Sequence, residues 1–190
     1  MCNKILVAYA STHGSTQEVA EAITENLRGG GLAVDLQPAR NVRDMEGYGA
    51  VVLGAPLYML RLHKDALCFL SRHQKVLAES LPIAIFAGGP FDSAEKKASE
   101  DESVWREVRR QLDRELARFT WLKPVSVEVV GGRFDPSKLR LPWSLLPALR
   151  HMPPSDLRDW DAISSWANGC LLYTSPSPRD RTRSRMPSSA

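Results

Sequence analysis

Apolar and polar residues follow two different periods along this chain, and the switches between them mark out its elements. Lys4–Ala10 is a continuous apolar run, the pattern of a strand covered on both faces. It gives way to Gln17-Glu18-Val19-Ala20-Glu21-Ala22-Ile23, whose apolar positions recur at helical spacing and carry a helix to about Arg28. Ser15 and Glu18 form an S-x-x-E capping box for its start, and Gly29-Gly30-Gly31 stops it. Leu32–Leu36 predicts a second strand, Ala50–Gly54 a third, Leu81–Ala87 a fourth and Val125–Val130 a fifth. Further helices are expected at His63–Arg72 and at Glu102–Arg118. The second of these carries Val104, Val108, Leu112 and Leu116 in one stripe that continues to Phe119. A last helix is expected at Asp156–Gly169, with Trp160, Ile163 and Trp166 on one side. Both stripes read as core contacts. Strands alternating with helices imply right-handed crossovers and a parallel sheet with helices on both faces.

Candidate chemistry begins where the first strand ends. Ser11-Thr12-His13-Gly14-Ser15-Thr16 offers hydroxyls, one glycine and backbone N–H groups at the positive end of a helix dipole, an arrangement that binds phosphate. It holds no Gly-Lys pair and so is not a nucleotide-triphosphate loop. Neutral donors suit a single terminal phosphomonoester, as in flavin mononucleotide (FMN). A phosphate loop after the first strand makes 2-1-3-4-5 the natural strand order, with ligand contacts at the carboxyl ends of strands one, three and four. Strand three ends in Gly54-Ala55-Pro56-Leu57-Tyr58-Met59, where small residues and proline shape a turn. Tyr58 offers an aromatic face there, although a plain surface or core tyrosine remains an open alternative. Strand four ends in Ala87-Gly88-Gly89-Pro90-Phe91-Asp92, whose glycines allow backbone to approach a flat ring closely. His13 reads as a rim residue or a backbone-only contributor, and His63 and His73 as solvated helix residues.

The C-terminus changes the reading of charge. From Cys170 the chain runs Cys-Leu-Leu-Tyr-Thr-Ser-Pro-Ser-Pro-Arg-Asp, which matches the translation of a transposase-type sequencing adaptor. Residues 170–190 are therefore expected to be an artefactual, disordered tail, and residues 1–169 one domain. The whole chain of 190 residues has a formal charge of +3, but the tail holds Arg179, Arg181, Arg183 and Arg185 against Asp180. The body is left with 21 basic and 21 acidic residues, so nothing in its charge points to nucleic acid. Its cysteines, Cys2 and Cys68, have neither metal-ligand spacing nor a disulfide framework, and no metal is expected. No apolar run approaches the length of a membrane span, and the strand so close to Met1 leaves no room for a signal peptide. A cytoplasmic address is the expectation.

The chain resembles the flavodoxin-like FMN-binding family: Ser11, Thr12, Gly14, Ser15 and Thr16 stand where that family has its hydroxyl-rich phosphate loop. The resemblance implies a three-layer α/β fold with a five-stranded parallel sheet of order 2-1-3-4-5 and FMN as cofactor. It implies that Pro56, Leu57, Tyr58 and Met59, with Ala87, Gly88, Gly89 and Asp92, flank the flavin ring, Tyr58 being the stacking candidate. A closer resemblance extends from Lys4 to about Gly169. It is to the flavodoxin-type, menaquinone-dependent protoporphyrinogen IX dehydrogenase subgroup, an oxidoreductase of haem biosynthesis. It rests on K-I-L-V-A-Y-A-S-T-H-G-S-T, on V-V-L-G-A-P-L-Y, and on Gly131-Gly132-Arg133-Phe134-Asp135-Pro136 followed by a Trp- and Leu-rich stretch and Asp159-Trp160.

That subgroup carries an insertion at the same place, after strand five. Here Ser137–Pro154 mixes Lys138, Arg140, Arg150 and His151 with leucines, Trp143 and Met152. The mixture suits a membrane interface, a quinone tail or a porphyrin's propionates, and equally a short excursion packing its leucines onto the domain. Pro142, Pro147, Pro153 and Pro154 interrupt any long amphipathic helix. Arg133 and Arg140 are the candidates for carboxylate recognition.

By this resemblance FMN takes a hydride at N5 from a porphyrinogen-type donor and passes electrons to a quinone, with no catalytic protein side chain. Peripheral contact with the inner face of the plasma membrane is a further expectation. The alternatives are a flavodoxin electron carrier, against which the neutral body counts, and an FMN-binding module without porphyrinogen activity. An NAD(P)H–quinone reductase of the tetrameric type is set aside because its characteristic insertions are not apparent.

Overall fold

A computed structural model describes residues 4–58, 61–89, 102–134 and 154–174, with the side chains of Tyr58, 102–105, Phe134 and 171–174 outside that description. In chain order the elements are β1 (Lys4–Tyr9), α1 (Ser15–Gly29), β2 (Ala33–Pro38), β3 (Tyr48–Tyr58), β4 (Arg61–Leu62), α2 (Lys64–Arg72) and α3 (Gln74–Glu79). Then come β5 (Ile83–Gly89), α4 (Glu102–Ala117), β6 (Ser126–Gly131), β7 (Arg133–Phe134), β8 (Ser155–Asp156) and α5 (Trp160–Thr174). Five strands run parallel in the order β2-β1-β3-β5-β6. This is the expected 2-1-3-4-5, because the short β4 pairs only antiparallel with the end of β3.

The period of two in each strand divides the core into two layers. Ile5 and Val7 of β1 join Val19, Ala20, Ile23 and Leu27 of α1 and Ile163 and Ala167 of α5 on one face. Leu6 and Ala8 turn to the other face, with Phe69 and Leu70 of α2 and Val108 and Leu112 of α4. Both faces are covered, which is why the central strands read as unbroken apolar runs.

Several local expectations give way to tertiary effects. Gly14, not Ser15, is the N-cap of α1: it sits at φ +91°, and no side chain caps it. The S-x-x-E box does not form, because Ser15 is already helical and Glu18 is drawn to arginines from the far end of the chain. Gly54–Tyr58 is no turn either. The strand continues through it, and its end folds back on β4 through Leu57↔Leu62 and Tyr58↔Arg61. Gly54 is required by packing, since a Cβ there would stand 2.1 Å from Cζ of the buried Phe86. The last helix continues to Thr174, with the Cys170 side chain buried against the sheet.

Candidate functional site

The loop from Ser11 to Thr16 lies at the carboxyl end of β1, beside the corresponding ends of β3 and β5. The Ala10 N–H donates to the Gly54 carbonyl at 2.8 Å, which ties the residue before the loop to β3. The left-handed turn at Gly14 lets the chain enter α1 abruptly, and the Glu18 N–H closes the first helical bond on the Gly14 carbonyl at 3.0 Å. The amides of Ser15, Thr16 and Gln17 precede that bond and have no acceptor within the helix. They form the electropositive floor of the site.

Three of the loop hydroxyls are hydrogen-bonded to the protein, two of them as acceptors of backbone N–H groups. Ser11 Oγ accepts from the Gly14 N–H at 3.0 Å, and Ser15 Oγ accepts from the Arg133 N–H at 3.2 Å. Thr12 Oγ1 lies 2.9 Å from His63 Nε2. Thr16 is buried, and its hydroxyl oxygen lies 3.8 Å from where a Cβ on Gly88 would stand. The fold therefore brings Ser11, Thr12, Gly14, Ser15, Thr16 and Gly88 together, with His13 half-buried in the same loop.

The remaining candidates are placed less uniformly. The Pro56 carbonyl accepts from the His63 N–H at 3.2 Å and holds the β3–α2 connection to the site. Leu57 and Ala87 point their side chains into the core. Gly89 is buried, and its carbonyl would lie 2.4 Å from a Cβ on Gly132, so β5 and β6 meet closely there. Tyr58 closes β3, its side chain outside the description. Met59, Asp92 and residues 135–153, which include Arg140 and all of the insertion except Pro154, lie outside the described residues.

Two residues at this site were not legible as such in the sequence. His63 is not a solvated helix residue: it is the N-cap of α2, where Nδ1 accepts from the Asp65 N–H at 3.2 Å. Burial lowers its pKa, the Asp65 carboxylate opposing and Lys64 adding to the shift. Its position just before an apolar helical stripe was the available signal. His73 is likewise buried, between α2 and α3, with Nε2 3.4 Å from the Val42 carbonyl.

Arg158 is the second. Its side chain is 4% exposed, hydrogen-bonded to both Asp156 and Glu18, with the guanidinium 4.6 Å over the Trp160 ring. The bond to Arg158 lowers the Asp156 pKa, and the carboxylates raise that of Arg158. Arg133 stands 3.6 Å from the same Glu18. The ends of the excursion, β7 and β8, pair as Arg133↔Asp156 and Phe134↔Ser155, with the Leu157 N–H on the Gly132 carbonyl at 3.0 Å. The insertion is thus rooted directly beside the Ser11–Thr16 loop.

A small apolar cavity lined by Ile5, Ala50, Pro82, Val125 and Cys170 lies at the amino ends of the strands, opposite this site, and takes no part in it. Among the described residues no helix is long and apolar enough to cross a membrane.

Comparison with known proteins agrees with this arrangement. Residues 6–142 match the family described as "Flavodoxin domain". The oxidised flavodoxin 2 of Bacillus cereus superposes with a TM-score of 0.55 at 21% identity, over 90% of this chain and 99% of that one. The rubredoxin oxygen:oxidoreductase of Desulfovibrio gigas superposes with a TM-score of 0.52 at 17% identity, over 90% of this chain and 37% of its own. An NAD(P)H dehydrogenase (quinone) of Cupriavidus metallidurans is 28% identical over 92 residues, 37% of this chain. The matched segment spans 46% of that relative, about half its length.

Proposed function

This chain belongs to the flavodoxin domain family, and on that premise we propose that it is an FMN-dependent oxidoreductase that delivers electrons to a quinone. The observation that carries the cofactor is the meeting of the Ser11–Thr16 loop with Gly88 at the ends of β1 and β5. The residues fit the group. Ser11, Thr12, Ser15 and Thr16 with the first amides of α1 would hold its phosphate, and the absence of a Cβ at Gly88 leaves room beside Thr16. Pro56–Met59 and Ala87–Asp92, by family resemblance, would flank the ring.

Bound FMN supplies the redox chemistry, moving between a two-electron donor and an acceptor. The protein's part is to hold the phosphate through neutral donors and to keep the loop shape through Gly14. The ion pairs of Glu18 with Arg133 and Arg158 anchor the root of the insertion next to it. In this reading the activity resides in residues 1–169.

For the donor we favour a porphyrinogen-type compound, on the resemblance of the 131–136 block and the basic, apolar insertion after it. Arg133 and Arg140 would then meet its carboxylates. The second reading takes NAD(P)H as donor, which the name of the Cupriavidus metallidurans relative supports. Purified protein should be yellow and release FMN on denaturation; a colourless protein that takes up no FMN overturns the proposal. Menadione reduction with protoporphyrinogen IX, NADH or NADPH then separates the donors. Reduction by a ferredoxin reductase without turnover of any of them would indicate an electron carrier.

A further inference from the structure

We infer that His63 is a positioning residue for cofactor phosphate, turning the Thr12 hydroxyl into an obligate hydrogen-bond donor. The inference rests on the proposed seat of the FMN phosphate in the Ser11–Thr16 loop.

The geometry decides the tautomer. Nδ1 of His63 receives the Asp65 N–H at 3.2 Å, so that nitrogen carries a lone pair and no proton. A neutral imidazole then has its proton on Nε2. Nε2 lies 2.9 Å from Thr12 Oγ1, so the ring donates and the hydroxyl oxygen accepts. A hydroxyl has one proton to give, and this one is not engaged by the imidazole. It is left to donate elsewhere, and Thr12 is exposed in the phosphate loop. A terminal phosphomonoester dianion offers only acceptors, which is the complement of this arrangement.

The same logic extends around the loop. Ser11 Oγ and Ser15 Oγ each accept a backbone N–H, so their protons too are available to the anion. The difference is that His63 comes from another element, 51 residues away, and couples the cap of α2 to the polarity of the loop. Burial depresses its basicity and so favours the neutral ring, while the Asp65 N–H on Nδ1 selects the tautomer.

The test uses the full chain and FMN, titrated by quenching of flavin fluorescence. Asn reproduces Nδ1 as an acceptor for the Asp65 N–H but cannot reach Thr12, and Gln reproduces the Nε2 donor. His63→Asn is therefore expected to weaken FMN binding about tenfold while leaving the thermal midpoint near wild type, the loss of one hydrogen bond to a charged group. His63→Gln should restore most of the affinity. In a Thr12→Val background His63→Asn should cost nothing further.

An imidazole nitrogen NMR spectrum of the wild-type protein should show His63 protonated at Nε2 and bare at Nδ1. Wild-type affinity in His63→Asn overturns the inference while leaving the cofactor reading intact. So does an undiminished loss in the Thr12→Val background, or an Nδ1–H tautomer. Wild-type protein that binds no FMN overturns both.

Discussion

Arg158 donates to the carboxylate of Glu18 across 140 residues of sequence, joining the start of the last helix to the first turn of α1. Both groups flank the Ser11–Thr16 loop, and Arg158 is nearly buried while Glu18 keeps 37% of its side chain exposed. Removing the cation leaves Glu18 and Asp156 without this partner, and strips the packing of the guanidinium over Trp160. Arg158→Met should lower stability by about 1–3 kcal/mol, less than a fully buried pair because one partner is wet. Urea unfolding followed by circular dichroism reads the effect. A Glu18→Gln change in the same background should add little if the two residues act as one unit.

The capping-box expectation failed at the same place, and the reason is physical. An S-x-x-E pattern satisfies local geometry whether serine is the cap or the first helical residue. Glycine at φ +91° takes the cap, Ser15 turns to the Arg133 amide, and Glu18 finds stronger partners in two arginines. By contrast β1, the helical period of α1 and the loop that joins them were all legible, because each is written in consecutive residues.

Gly14→Val places a β-branched residue at a left-handed φ. No atom stands within 4 Å of the new Cβ, so the cost comes chiefly from backbone strain. We expect about 1–3 kcal/mol of lost stability and weaker FMN binding as the loop relaxes. Equilibrium titration with FMN checks it, and unchanged affinity would mean that the phosphate is held elsewhere.

At Gly54 the limit is space. An added methyl would collide with Phe86, whose ring packs edge-on to Trp166 at a centroid distance of 6.1 Å. Gly54→Ala should destabilise by about 1–3 kcal/mol or more through overpacking. Shortening the neighbour with Phe86→Leu in the same chain should recover part of that loss. Chemical denaturation of the single and double variants gives the comparison.

Acid should loosen the α2–α3 junction. Burial lowers the pKa of His73 from its ordinary 6.5, against the opposing pull of the Val42 carbonyl and Asp44, with Arg72 adding to the shift. The unfolded chain binds the proton at about 6.5 while the folded one resists it. The stabilisation is therefore complete above that pH and is lost as the pH falls through the folded value. His63 shifts in the same direction and adds to the slope. Thermal midpoints taken from about pH 7.5 down to about pH 5 should fall, and less steeply in His73→Gln. A midpoint that rises on acidification would contradict this account.

By itself the sequence determined the alternation of strands and helices, the place of the hydroxyl-rich loop between β1 and α1, and the order of the sheet. These are properties of neighbouring residues: the period of side chains, the start of a helix dipole, the turn that only glycine takes easily. Only the tertiary structure decided that Gly54 is a packing requirement, that His73 is buried and His63 half-buried against the loop, and that Arg158 roots the insertion beside it. Their partners lie in other elements, and burial or hydrogen-bond satisfaction exists only once those elements have packed. The Ser11–Thr16 loop is written in six consecutive residues, but the partner of its Thr12 hydroxyl is a histidine 51 residues away.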